Sequence, residues 1–253
     1  MRRLSSVLHV VTAASLAAAC AGPDPVPRGT DGEPLSRAQI VAIVASPDRS
    51  VADRRNDVRR RPVEMLEFAD VRPGMTVLDV SSGGGYTTEL LARAVAPGGR
   101  VYAQTPRPPS PALAARLQKP VAADVTSVVR PFESAPPTEA AGRLDLVTLM
   151  FNYHDMGHLG VDRARLNAAV FAALKPGGSY VIADHSGRAG TGISESGTLH
   201  RVEEALVRRE VEAAGFRLAA EGTFLRNPND PRDREEPDPP QPKDEFVLRF
   251  VKL

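Results

Sequence analysis

The sequence predicts an open α/β sheet of seven strands, Rossmann-like, in the order 3-2-1-4-5-7-6, with strand 7 antiparallel and helices on both faces. Three observations carry that expectation. Residues 76–91, TVLDVSSGGGYTTELL, run from a short apolar segment through an acidic residue and a glycine-rich turn into a helical pattern. Pro-Gly stands directly before an apolar run three times, at Pro73-Gly74, Pro97-Gly98 and Pro176-Gly177, which is the punctuation of repeated strand–helix units. Two closing strand-like segments, 218–225 and 246–251, are joined by a proline-rich charged stretch with no helical pattern, so they should pair antiparallel.

Taken in order, helical patterning begins near Ser36, a plausible N-cap, and carries Ile40, Val41, Ile43 and Val44 before Ser46-Pro47 breaks it. A densely charged piece, 53–61, follows, and Pro62 then opens a more amphipathic turn with Met65, Leu66 and Phe68. The basic cluster reads either as a solvated face or as a lid over the crevice, with an arginine to hold an anionic group. After the glycine turn come a helix over 87–95, a second strand over 100–104, a short helix over 112–117 and a third strand over 125–129. Residues 144–151 are apolar almost throughout, as a central parallel strand covered on both faces requires. A helix over 162–174, a fifth strand over 179–184, a glycine-rich loop and a helix over 199–214 closed by Gly215 complete the α/β part.

With 253 residues, 42% of them apolar, the chain can bury one substantial core. Lys and Arg number 32 against 31 Asp and Glu, a balance that gives no general attraction to nucleic acid or anionic lipid. The first twenty residues have the layout of an export signal: Arg2 and Arg3, an alanine-rich run, and small residues before Cys20. That run is too short and too diluted to span a bilayer. Leu16-Ala17-Ala18-Ala19-Cys20 resembles a bacterial lipobox with Ala17 where Leu is usual, so Cys20 is the expected lipid anchor and the only membrane contact. The alternative is an ordinary alanine-rich N-terminus. The expected organisation is a signal at 1–20, a tether at 21–35 and one α/β domain at 36–253. Cys20 is the only cysteine, which excludes an internal disulfide or a cysteine metal cluster.

In the glycine turn, Gly83, Gly84 and Gly85 leave no Cβ, so a ligand can lie against backbone N–H groups at a helix N-terminus. Asp79 points toward the same crevice, at the carboxyl end of the first strand, where open α/β sheets bind ligands. Asn152, Tyr153, His154 and Asp155 come at the same edge after the fourth strand, and Asp184 and His185 at the end of the fifth; His200 begins the next helix. Histidine can take a proton near neutrality and a carboxylate can orient its ring. Three histidines at one rim with Asp155 or Asp184 could instead ligate a metal, although the spacing fits no compact metal motif.

From residue 51 onward the chain resembles the class I S-adenosylmethionine-dependent methyltransferases, and within them a group of bacterial predicted methyltransferases. The resemblance is carried by LDVSSGGGYTTELLA, RLDLVTLMFNYHDM, LKPGGSYVIADHSG and EVEAAGFRL. It implies S-adenosylmethionine held by Asp79, Ser81, Gly83, Gly84, Gly85, Gln104 and Asn152, with the glycine turn around its methionine part. It also implies methyl transfer to oxygen or nitrogen of a small molecule, with His154 as base among the catalytic candidates Tyr153, His154, Asp155, His185 and His200. Two positions depart from the family pattern. Ser81 stands at the first glycine of the acidic-x-Gly-x-Gly-x-Gly turn. Gln104 stands at the end of the second strand, where an acidic residue commonly takes the ribose hydroxyls; neutral hydrogen bonds are roughly half as strong as charge-assisted ones. The second reading is an exported lipoprotein that kept this fold and binds a ligand or metal, or catalyses another reaction, without methyl transfer.

Overall fold

A computed structural model describes residues 32–237 and 240–253. The signal, Cys20 and the tether up to residue 31 lie outside the described residues. The sheet has the expected order, β3-β2-β1-β4-β5-β7-β6. β1 (Thr76–Val80), β2 (Arg100–Thr105), β3 (Val125–Val129), β4 (Leu144–Met150) and β5 (Leu174–His185) pair in parallel, and β7 (Glu245–Lys252) lies antiparallel between β5 and β6 (Phe216–Gly222).

Side-chain alternation assigns each face its own core. Leu78, Val80, Tyr102, Val147 and Leu149 face α7 (Arg163–Ala173) and α8 (Glu204–Ala213), meeting Leu166, Val170, Val207 and Val211. Val77, Val101, Leu146 and Met150 face the other way, toward α1 (Arg37–Val44), α3 (Pro62–Phe68) and α4 (Tyr86–Val95), meeting Ile40, Leu66, Leu90, Leu91 and Val95. β4 is buried at every position, as a strand covered on both faces must be.

The N-terminal helices form as their punctuation dictates. Ser36 and Gln39 close a capping box on α1. α2 (Val51–Arg60) stops at Arg61, which takes a left-handed φ of 45° and lets Pro62 open α3 in a new direction. The packed chain starts earlier than the expected boundary at 36: a Cβ on Gly32 would meet the Pro73 carbonyl oxygen at 2.3 Å, and Leu35 packs on the core. Among the described residues no helix is long and apolar enough to cross a membrane.

The helix expected over 199–214 begins only at Glu204. Arg201 is fully buried against Asp230, and Val202 bridges to Ser186 in parallel, so this stretch spends its backbone and side chains on the end of β5. His200 is held there at a φ of 50°, not on a helix. A one-turn helix that the sequence did not suggest, α6 (Asp155–His158), lies just beyond β4.

Candidate active site

The glycine turn closes over the end of β1 by short-range hydrogen bonds: Gly85 N–H donates to the Ser82 carbonyl at 2.8 Å, and Ser82 N–H to the Gln104 carbonyl at 2.9 Å. Ser81 takes a φ of 58°, a left-handed conformation that glycine adopts without strain, which accounts for glycine being usual at this position. Gly83 and Gly85 are left-handed as well, at 57° and 79°. A Cβ on Gly85 would strike Leu113 Cδ1 at 2.8 Å and Arg116 Cδ at 2.9 Å, both on α5 (Pro111–Leu117), whereas one on Gly84 would only touch Ala112 at 3.7 Å.

Asp79 supports this turn from below. Thr88 Oγ1 donates to its Oδ2 at 2.6 Å and Thr148 Oγ1 to its Oδ1 at 2.9 Å, so both carboxylate oxygens are engaged. Burial pushes its pKa up to about 6 against those two hydroxyls. It forms wall and brace, with its hydrogen-bonding capacity turned toward α4 and β4.

A cavity of about 100 Å³ opens beside the turn, lined by Asp79, Ser81, Gly83, Gly84, Tyr86 and Asn152, with the guanidinium of Arg60 at its side. Arg60 belongs to the basic cluster for which the sequence left a solvated face and a lid both open. Its group lies over the rings of Tyr86 and Phe151, 5.3 and 4.6 Å from their centroids, and its Nε has no hydrogen-bond partner. Burial and neighbouring Arg59 pull its pKa below the usual arginine value. Arg60 brings its positive charge to the wall of a cavity lined largely by backbone and small side chains, which suits an anionic group such as a carboxylate.

Gln104 departs from its expected role. Alternation along β2 sends Tyr102 and Gln104 to the face opposite α4, and the fully buried Gln104 accepts from Ser81 N–H at 2.9 Å and donates to the Arg130 carbonyl at 2.7 Å. Its amide holds the turn, and its full burial outside the cavity lining keeps it from a ribose. The last residue of β2, Thr105, donates to the Arg107 carbonyl at 2.7 Å. No carboxylate is offered at the end of β2.

The rim gathers His154, Asp155, His185 and His200. His154 Nδ1 lies 2.6 Å from Asp184 Oδ1 and its Nε2 3.1 Å from Asp155 Oδ1. His200 Nδ1 is 3.5 Å from the same Asp155 oxygen. The His154 and His185 rings are 5.4 Å apart, and His185 Nδ1 lies 3.0 Å from Glu245 Oε1. His158, which the sequence reading did not single out, joins them, with Nε2 3.9 Å from Asp155 Oδ1. Asn152 links rim and cavity: it lines the cavity and donates to Asp155 Oδ2 at 2.8 Å.

Burial lowers the pKa of His154, but its hydrogen bonds to Asp155 and Asp184 outweigh that and push it up to about 9. The same contacts, against burial, hold Asp155 well below the usual carboxylate range. His154 with its proton in place cannot also act as a vacant base at neutral pH, which corrects the base role expected of it. Tyr153 is a second correction. It follows Asn152 onto the other side of the chain, is fully buried, donates to Glu210 Oε2 at 2.7 Å and accepts from Asn167 at 3.0 Å. It is part of the α7–α8 packing, away from the rim.

Comparison with known proteins agrees with this architecture. Residues 78–182 match the family described as a methyltransferase domain. The chain has the fold of solved S-adenosylmethionine-dependent methyltransferases. It is similar to an S-adenosylmethionine-dependent methyltransferase from Aquifex aeolicus (TM-score 0.59, 19% identity, covering 87% of this chain and 100% of that one). It is also similar to the 1,6-didemethyltoxoflavin-N1-methyltransferase of Burkholderia thailandensis, solved with 1,6-didemethyltoxoflavin and S-adenosylhomocysteine bound (TM-score 0.54, 18% identity, 88% and 93% covered). A curated relative, the protein-L-isoaspartate O-methyltransferase of Aeropyrum pernix, is 59% identical over 39 residues, a match spanning 15% of each chain.

Proposed function

We propose that this protein transfers a methyl group from S-adenosylmethionine to an oxygen or nitrogen of a small molecule. The observation that carries the proposal is the half-buried Arg60, a cation at the wall of a cavity lined by the glycine turn and bordered by Asn152. Arg60 would take the methionine carboxylate and the backbone of residues 81–84 would surround its amino end. The sulfonium would then stand near Asn152, facing the rim. Methyl transfer needs chiefly alignment of nucleophile, methyl and sulfonium. The rim would receive the acceptor, with His154 orienting Asp155 and the half-exposed His200 nearest to an entering group.

Isothermal titration with S-adenosylmethionine and S-adenosylhomocysteine tests this. Saturable micromolar binding is expected, and Arg60→Ala should weaken it about 10- to 100-fold, the range for a charge-assisted hydrogen bond of about 1.5–3 kcal/mol. Arg55→Ala, on the same helix but outside the cavity, should change it by less than about twofold. No heat and no thermal shift at millimolar ligand would end the proposal.

One observation favours the second reading, a ligand-binding or differently reactive protein on this fold: the end of β2 offers Thr105 and a committed Gln104 in place of a ribose-binding carboxylate. The export layout of residues 1–20 supports a location outside the cytoplasm, with Cys20 as the anchor.

A further inference from the structure

The rim imidazoles and Asp155 are oriented by their outer contacts so that their inner ring nitrogens and the Asp155 Oδ1 converge. Asp184 Oδ1 lies 2.6 Å from His154 Nδ1, and Asp184 Oδ2 accepts the His154 backbone N–H at 2.7 Å. The Nδ1 proton is thereby held toward Asp184, leaving Nε2 to face Asp155, and an ion bound there takes the place of the Nε2 proton. Ser196 does the same for His158. Its hydroxyl donates to the His154 carbonyl at 2.5 Å, so toward His158 it can only accept, from the backbone N–H at 2.9 Å and from Nδ1–H at 3.0 Å. His158 Nε2 is then the atom with the lone pair, and it points to Asp155. Asn152 donates to Asp155 Oδ2 and leaves Oδ1 as the oxygen around which the ring nitrogens collect.

The separations are those of ligands about a single ion. The ligand atoms of His154, Asp155 and His200 all lie within 4.8 Å of one another. Asp155 Oδ1 is 3.1 Å from His154 Nε2, 3.5 Å from His200 Nδ1 and 3.9 Å from His158 Nε2. Bonds of about 2.0–2.1 Å to a tetrahedral ion place its ligand atoms about 3.3 Å apart. Two of the histidines have an outer partner that fixes their orientation, Asp184 behind the buried His154 and Ser196 behind the more exposed His158, as metal-binding histidines characteristically do. His200 reaches the cluster from a left-handed backbone, a conformation that needs a compensating interaction. The side chains of His200 and His158 are 38% and 35% exposed, so one side of the cluster stays open.

We propose that His154 Nε2, Asp155 Oδ1 and His200 Nδ1, with His158 Nε2 beside them, bind a divalent transition-metal ion of the zinc class. Imidazole and carboxylate together suit zinc, iron or cobalt better than calcium or magnesium. Among the described residues this is the one group of three or more such side chains with convergent ligand atoms. Because Asn152 belongs both to the cluster and to the wall of the glycine-turn cavity, an ion here would act as a Lewis acid where an acceptor heteroatom arrives. The proposal does not depend on methyl transfer, since binding is read without the cofactor.

The full chain, purified without a histidine tag and stripped by chelator, is titrated with zinc by calorimetry and with cobalt by visible absorption. The expected result is one equivalent bound with micromolar or tighter Kd and the d–d bands of a low-coordinate cobalt site. His200→Ala and Asp155→Asn, each with an unchanged circular dichroism spectrum, should weaken binding at least about tenfold. His200 is half-exposed, so its truncation leaves the core intact. No stoichiometric metal in the wild type, or either variant losing less than tenfold, overturns the proposal. Metal binding without any S-adenosylmethionine binding would uphold it and defeat the methyl-transfer reading.

Discussion

Asp79 is a carboxylate enclosed by protein, answered by two threonine hydroxyls, with its pKa pushed up to about 6. A raised carboxylate is protonated more readily folded than unfolded, so its favourable contribution is full below the unfolded value near 3.8 and is lost as pH rises through about 6. The loss amounts to about 3 kcal/mol above that window, taking 1.36 kcal/mol per pKa unit. Asp79→Asn removes the dependence while its amide still meets both hydroxyls. Its melting temperature relative to wild type should therefore be higher at pH 7.5 than at pH 5, by on the order of 5 °C or more. An equal difference at the two pH values in scanning calorimetry would show that Asp79 is not the titrating group. At this scale the sequence was legible where backbone geometry decides, as with the left-handed Gly83 and Gly85. It was misleading where side-chain direction decides: Gln104 and Tyr153 stand one residue from positions on the other side of their strand or turn, and only the packed register tells the two sides apart.

Arg116 joins three elements and the turn. Its guanidinium meets Asp53 of α2 at 2.9 and 3.0 Å, contacts Glu89 of α4, and donates from Nε to the Gly84 carbonyl at 3.0 Å. Glu89 is buried, and Arg93 and Lys119 also pair with it. Removing the central cation leaves Asp53 buried without its charge partner, a change that costs about 3–5 kcal/mol. Arg116→Met should therefore destabilise the protein by about 3 kcal/mol in urea unfolding. Combined with Asp53→Asn it should show at least about 1 kcal/mol of non-additivity, because the two act through one contact. Additive effects would mean that α2 is held by its other contacts, the Arg49–Asp57 and Arg59–Glu245 pairs and Arg60 over Tyr86 and Phe151. The order and type of elements were readable from Pro-Gly punctuation and periodicity, because those signals are local. The start of α8 was not, because the buried Arg201–Asp230 pair that keeps 199–203 out of the helix joins positions far apart in sequence.

Two facts visible in the chain, crossover helices between the first five strands and none before the last, account for five parallel strands and for β7 antiparallel to β6; the insertion of β7 beside β5 was an expectation of the family resemblance. Location rests on residues 1–20, and Cys20→Ser is expected to release the protein from the membrane fraction or leave its signal uncut; unchanged fractionation and processing would remove the anchor. Gly32 gives that anchor a geometric meaning. It abuts Pro73, just ahead of the first residue of β1, whereas the glycine turn, Arg60 and the histidine rim all gather beyond the carboxyl ends of the strands. A chain rising from a lipid at Cys20 would thus join the domain at its base, with the pocket mouth at the far end of the sheet, turned toward solution. Such an orientation favours acceptors that diffuse in water over those embedded in the bilayer below.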